Sequence, residues 1–265
     1  MLNLQEGSYT GKVMNKIYTD NFIVTTTLYL KSNCEDRLHS HDNATISFLY
    51  QGADVESRKN ANKYKRKAGD IFFYDSGEPH KTVLTLETSK NVNIELRNSR
   101  FLKDNCSNTN LQKLISNDID ANLIAVKILK EINIADDYSS MALESLCLDL
   151  TGMSNRIQSN IKPTWVNVLE TFLDDNWQNK YSLTELSEIS GVHPITISKN
   201  FRKYFLCSLG EYVQKIKIRK SIPLIKNSEM SLTEIAYTCG FADQSHFIRN
   251  FKAYTGYLPK DFQKI

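Results

Sequence analysis

Apolar and polar positions in the first hundred residues alternate in short runs. The segments FIVTTTLYL (22–30), ATISFLY (44–50), DIFFY (70–74), KTVLTLE (81–87) and VNIELR (92–97) are rich in β-branched and aromatic residues and are separated by polar or glycine-containing stretches. This predicts an antiparallel β domain. From about residue 109 the period lengthens: Leu111, Leu114 and Ile115, then Leu123, Val126, Ile128 and Leu129, then MALESLCLDL at 141–150 all fall at helical spacing. The polar stretch 151–163 ends in Pro163 and reads as a linker. The expected organisation is an α+β multidomain chain, with a β sensor unit at 1–108, helices at 109–152, a linker at 153–163 and an all-α unit at 164–265.

Within the last unit the pattern repeats. SLTELSEISGV at 182–192 returns 49 positions later as SLTEIAYTCGF at 231–241. Each copy opens on a capping box, Ser182 with Glu185 and Ser231 with Glu234, in which the serine side chain accepts from the third backbone amide while the glutamate reaches back. Each ends in a glycine, Gly191 or Gly240, suited to a left-handed turn. A second helix follows each turn: HPITISKNFRKYF places Ile197, Phe201 and Phe205 on one face, and DQSHFIRNFKAYTG does the same with Phe247 and Phe251. Helix, tight turn, helix is thus written twice.

Composition narrows the class. At 265 residues and 41% hydrophobic the chain can bury real cores, and no stretch approaches the roughly 18 apolar residues that a membrane span needs. With no secretory start either, the cytoplasm is the expected location. The five cysteines, Cys34, Cys106, Cys147, Cys207 and Cys239, are scattered and show no metal or disulfide spacing. The net charge of +3 is unevenly spread: residues 156–265 carry 15 Lys/Arg against 10 Asp/Glu, and 193–226 hold eight Lys/Arg against Glu211 alone. A local anionic partner fits that bias, as does a solvated charged helix face. The run SRKNANKYKRK at 57–67 has six basic residues and no acid, and it reads as a solvated loop between strands.

The segments SLTELSEISGV, FRKYF, EYVQKIKIRK and above all SLTEIAYTCGFADQSHFIRNFKAYTGYLPKDF resemble the AraC/XylS family of bacterial transcription regulators, over about residues 164–265. The sequence departs from the family pattern at Ser187, Leu206 and Gln263. Pro223 falls inside the expected joining helix and should kink or shorten it. Two short recognition helices on one rigid chain can enter successive major-groove turns of double-stranded DNA, about 34 Å apart. The resemblance implies groove-facing Ile195, Ser198 and Lys199 in the first unit and Gln244, Ser245 and Arg249 in the second. Their chemistry suits base edges: Arg or Lys to guanine, Gln to adenine, Ile to a thymine methyl. Lys203, Lys217, Arg219, Lys220 and Lys252 are the expected phosphate contacts.

RLHSHDNATISFLYQG and AGDIFFYDSGEPHKT resemble the two motifs of a cupin barrel, the usual sensor module of this family, so a cupin-like β-barrel is expected. His39 and His41 match the first motif; Gly69, Asp70, Gly77, Pro79 and His80 match the second. His39, His41 and His80 are candidates for an effector pocket. The glutamate that metal cupins carry after H-x-H is absent, Ala44, Thr45 and Ile46 standing there, so no metal and no cofactor are expected. Helices at 109–152 stand where family members dimerise, and Leu143, Leu146 and Leu150 form the expected homodimer seam, although the same spacing suits packing on their own barrel. The reading is a non-enzymatic transcription regulator, with an activator role among its expectations, governed by a small-molecule effector or by dimerisation. RNA polymerase is a further partner it admits. A cupin metalloenzyme with a DNA-binding tail and an architectural DNA binder with a dead barrel are the rivals.

Overall fold

The computed structural model describes residues 1–32, 37–58, 63–97, 118–158 and 162–265, without the side chains of 153–158. The first part of the helix expected near 111–135, with Leu111, Leu114 and Ile115, therefore lies outside the described residues. The strands are β1 (Leu2–Leu4), β2 (Lys12–Tyr18), β3 (Phe22–Leu30), β4 (His39–His41), β5 (Ala44–Gln51), β6 (Ala53–Arg58), β7 (Lys63–Lys67), β8 (Ile71–Tyr74), β9 (His80–Leu84) and β10 (Thr88–Leu96). They form two five-stranded sheets, ordered β1-β4-β9-β6-β7 and β2-β3-β10-β5-β8. Pairing is antiparallel apart from β1 with β4. Among the described residues the sheets face each other without closing into one hydrogen-bonded barrel, which corrects the barrel expectation. The supposed loop at 57–67 is also corrected: Lys63–Lys67 is an edge strand paired with β6, and 59–62 lie outside the description.

Alternation sorts the second sheet into two unlike faces. Phe22, Val24, Ile46, Phe48, Ile71, Phe73, Val92 and Ile94 form an apolar layer with helix α1 (Ile119–Ile134), which contributes Leu123, Val126, Ile128 and Leu129. The opposite face carries Thr25, Thr27, Thr45, Ser47, Asn91, Asn93 and Glu95, all buried, against the first sheet. Helix α2 (Ser139–Gln158) runs on through residues expected to be linker. Its buried side chains, Leu143, Cys147 and Leu150, face the chain's own core, and Leu146 packs against it. The seam expected from Leu143, Leu146 and Leu150 is thus an internal contact. Among the described side chains of α2, the exposed apolar ones are Met141, 73% exposed, and Leu148.

The C-terminal helices are α3 (Thr164–Asp175), α4 (Leu183–Ser190), α5 (Pro194–Phe205), α6 (Leu209–Asn227), α7 (Leu232–Thr238), α8 (Gln244–Thr255) and α9 (Pro259–Lys264). α6 spans the two repeats as an unbroken 19-residue helix with Pro223 inside it. The expected shortening does not occur. The ring of Pro223 lies beside Gly69 of the sensor half, whose missing Cβ would sit 3.8 Å from its Cδ, so tertiary packing holds what local propensity opposes.

Candidate nucleic-acid interface and sensor cluster

Local chemistry fixes both helix pairs. Ser182 accepts from the Glu185 amide and Glu185 returns to the Ser182 backbone; Ser231 and Glu234 repeat the arrangement before α7. These hydrogen bonds hold the Glu185 and Glu234 carboxyls below the usual carboxylate range. Gly191 and Gly240 turn the chain at φ of 71° and 68°. The second helices start on His193 with Pro194 at the first position, and on Asp243, which accepts from the His246 amide. Ile197, Phe201 and Phe205 are buried under α5, the two phenylalanine rings stacked at 4.0 Å. Phe247 and Phe251 are buried under α8.

Burying one face of a recognition helix fixes what the other presents. Ile195, 56% exposed, together with Ser198, Lys199 and Lys203, projects from α5; Ser245, Arg249 and Lys252 project from α8. Gln244 is half-buried, and the Thr233 hydroxyl donates to its Oε1 at 3.0 Å. Three of the expected phosphate contacts are corrected. Lys217 is 4% exposed and donates to the Gly240 carbonyl at 2.6 Å. Arg219 and Lys220 both pair with Asp174 of α3, the latter at 3.0 Å. Their charges serve the fold. Arg202 is a further exposed basic side chain in the last turn of α5, and the sequence reading does not single it out.

His39, His41 and His80 meet inside the sensor half. One ligand atom from each lies within 4.8 Å of the others, and all three side chains are buried. Register explains this, since His39 sits directly opposite His80 across β4 and β9. The Nδ1 atoms of His39 and His80 lie 3.0 Å from the carbonyls of Arg37 and Glu78. A carbonyl can only accept, so each Nδ1 carries the proton and each Nε2 keeps its lone pair. Burial, with His39 nearby, pushes His41 down to about 4 and His80 to about 2, so both are neutral at pH 7. Tyr74 stacks on His80 at 4.2 Å, and Tyr9 lies 5.1 Å from His41 while donating to Glu95 at 2.7 Å.

Beside the histidines lies a buried ionic network. Arg66 donates to both oxygens of Asp54 at 2.5 and 2.8 Å and to the Tyr74 hydroxyl at 2.6 Å, with Glu56 at 3.4 Å. Burial raises the Glu56 carboxyl. Its Oε1, like His41 Nδ1, finds no hydrogen-bond partner among the described residues. Three neutral imidazoles could ligate a transition metal, but among the described residues no carboxylate joins the cluster, and Asp54 and Glu56 pair with Arg66.

A family model described as a helix-turn-helix domain matches residues 186–265. The Msm operon regulatory protein of Streptococcus mutans is 26% identical across 95% of this chain and 96% of its own length. The HTH-type transcriptional activator RhaS of Escherichia coli is 25% identical across 37% of this chain, which spans 36% of RhaS. Residues 186–265 thus carry a helix-turn-helix domain similar to those of AraC/XylS-type transcription regulators. Among solved structures, the chain compares with fatty-acid-bound ToxT from Vibrio cholerae at 16% identity and a TM-score of 0.37, over 94% of this chain and 96% of ToxT.

Proposed function

We propose that this chain is an AraC/XylS-type regulator that reads duplex DNA with α5 and α8, and that a small polar molecule held between its two sheets modulates the reading. One observation carries the first part: two capped helix pairs, each burying a phenylalanine face and projecting polar and basic side chains from the other. Ile195, Ser198, Lys199, Gln244, Ser245 and Arg249 then face base edges, and Lys203 and Lys252 approach phosphates. In a binding-selection experiment Arg249→Ala should cost about 1–3 kcal/mol at the preferred site and relax base choice, whereas Lys252→Ala should weaken all sequences alike and reduce the salt slope by about one phosphate contact. Unchanged site selection by Arg249→Ala contradicts the assignment.

The effector reading is supported by the inter-sheet lining. Hydroxyl, amide and imidazole groups stand beside Ile23 and Leu49 in a layer that apolar side chains usually fill, and buried acceptors on Glu56 and His41 find no partner among the described residues. A ligand bearing hydroxyl or amine donors suits them. The fixed tautomers of His39 and His80 favour a second reading, a divalent transition metal on His39, His41 and His80. A buried dication without a carboxylate is costly beside Arg66, so the effector reading leads. Elemental analysis of the purified chain should therefore find well under one metal per molecule. One tightly held metal, lost in His41→Ala, makes the second reading the right one.

A further inference from the structure

The joining helix α6 carries Lys217, a buried cation with no acid paired to it among the described residues. The acids that α6 meets are already engaged, Asp120 by Lys215 at 2.6 Å and Asp174 by Arg219 and Lys220. Lys217 is left with a neutral acceptor, the Gly240 carbonyl, and with the ring of Phe241, 5.8 Å away. Desolvation and the charge of Lys180 both lower its pKa. An ammonium has three donors, and a buried one without a counterion is expensive.

Beside it opens a cavity of about 320 Å³ between α3, the 179–181 loop and α6, with Leu173, Tyr181 and Val213 as apolar wall and Lys180, Gln214 and Lys217 as polar end. This is room for about ten water-sized groups. The Oε1 of Gln214 is buried there without a partner. Gln214 and Lys217 stand three residues apart on one helix, so they are neighbours. The polar end thus offers two cations and, next to them, one unused acceptor.

We propose that this cavity binds a small organic 2-hydroxy acid. Its carboxylate lies between Lys180 and Lys217, its hydroxyl donates to Gln214 Oε1, and its hydrocarbon part covers Leu173, Tyr181 and Val213. The site is separate from the inter-sheet lining and holds whether or not that lining binds an effector. It also touches the DNA-reading machinery, because the ammonium that would meet the carboxylate now holds the carbonyl of Gly240 in the turn between α7 and α8. A carboxylate competes for that ammonium and so acts on the second recognition helix.

Calorimetry on the full chain with 2-hydroxyhexanoate, hexanoate and hexane-1,2-diol tests this. The hydroxy acid should bind, hexanoate should bind a few-fold more weakly, and the uncharged diol at least about tenfold more weakly. Val213→Phe fills the cavity while leaving the Lys217–Gly240 contact, and it should abolish binding of the acid. Lys180→Met changes an exposed rim residue and should weaken the acid by about tenfold; if Val213→Phe does not fold, this variant decides. No heat from the hydroxy acid at millimolar concentration, equal affinity for the diol, or unchanged affinity in the folded Val213→Phe or in Lys180→Met overturns the proposal.

Discussion

Single residues here are assigned by what their neighbours leave free. Lys199 and Lys217 are the same side chain eighteen positions apart, yet one projects from α5 into solvent while the other is spent on a carbonyl. The sensor histidines show the same dependence on surroundings, and it has a consequence for pH. His41 in the folded chain sits at about 4, well below its ordinary 6.5, because burial disfavours the imidazolium. As pH falls below 6.5 the unfolded chain takes up this proton first, so stability drops from there towards pH 4; above pH 6.5 the contribution is fully present. The shift corresponds to a loss on the order of 3 kcal/mol across the window. Urea unfolding between pH 6.5 and 5, above most carboxylate titration, should show this slope in the wild type and a shallower one in His41→Gln. Parallel slopes contradict the neutral, buried assignment.

At the scale of elements, α2 separates a correct pattern from a wrong inference drawn from it. Its heptad-like spacing identifies a helix and an apolar face, but a face does not say what covers it. Leu143 and Leu150 are fully buried against the protein's own core. Leu143→Glu should therefore cost at least about 4 kcal/mol and leave little soluble protein, whereas Leu148→Glu on the exposed side should leave the melting temperature within a few degrees of wild type. A folded, soluble Leu143→Glu would reopen the seam. The elements that were legible in sequence are those whose signals are local: both capping boxes form as their Ser and Glu spacing requires, and β3 covers the same nine residues as the alternating run. Signals that depend on distant partners were not legible. Arg66 lies in a run that reads as a solvated loop, and only pairing with Asp54 across β6 and β7 buries it. Pro223 argues against a continuous α6 until the sensor half packs on it.

Across the whole molecule, α6 is where the halves meet. Asn227 both donates to and accepts from the backbone of Gly52, at 3.0 and 3.1 Å, a position where a side chain would collide with the Thr88 carbonyl. Lys215 pairs with Asp120 of α1, and Lys130 of α1 donates to the carbonyl of Gly256 at the end of α8, at 3.0 Å. The N-terminal half therefore contacts both the joining helix and α8, the contacts through which the proposed effector would act on the proposed DNA-reading helices. The central claim is that α5 and α8 enter successive major-groove turns on one face of the duplex. Methylation-interference footprinting of the full chain on its preferred site tests it most directly. The expected result is two protected major-groove patches about 10 base pairs apart, one lost in Lys199→Ala and the other in Arg249→Ala. A single patch, or two patches out of phase with the helical repeat, contradicts the account.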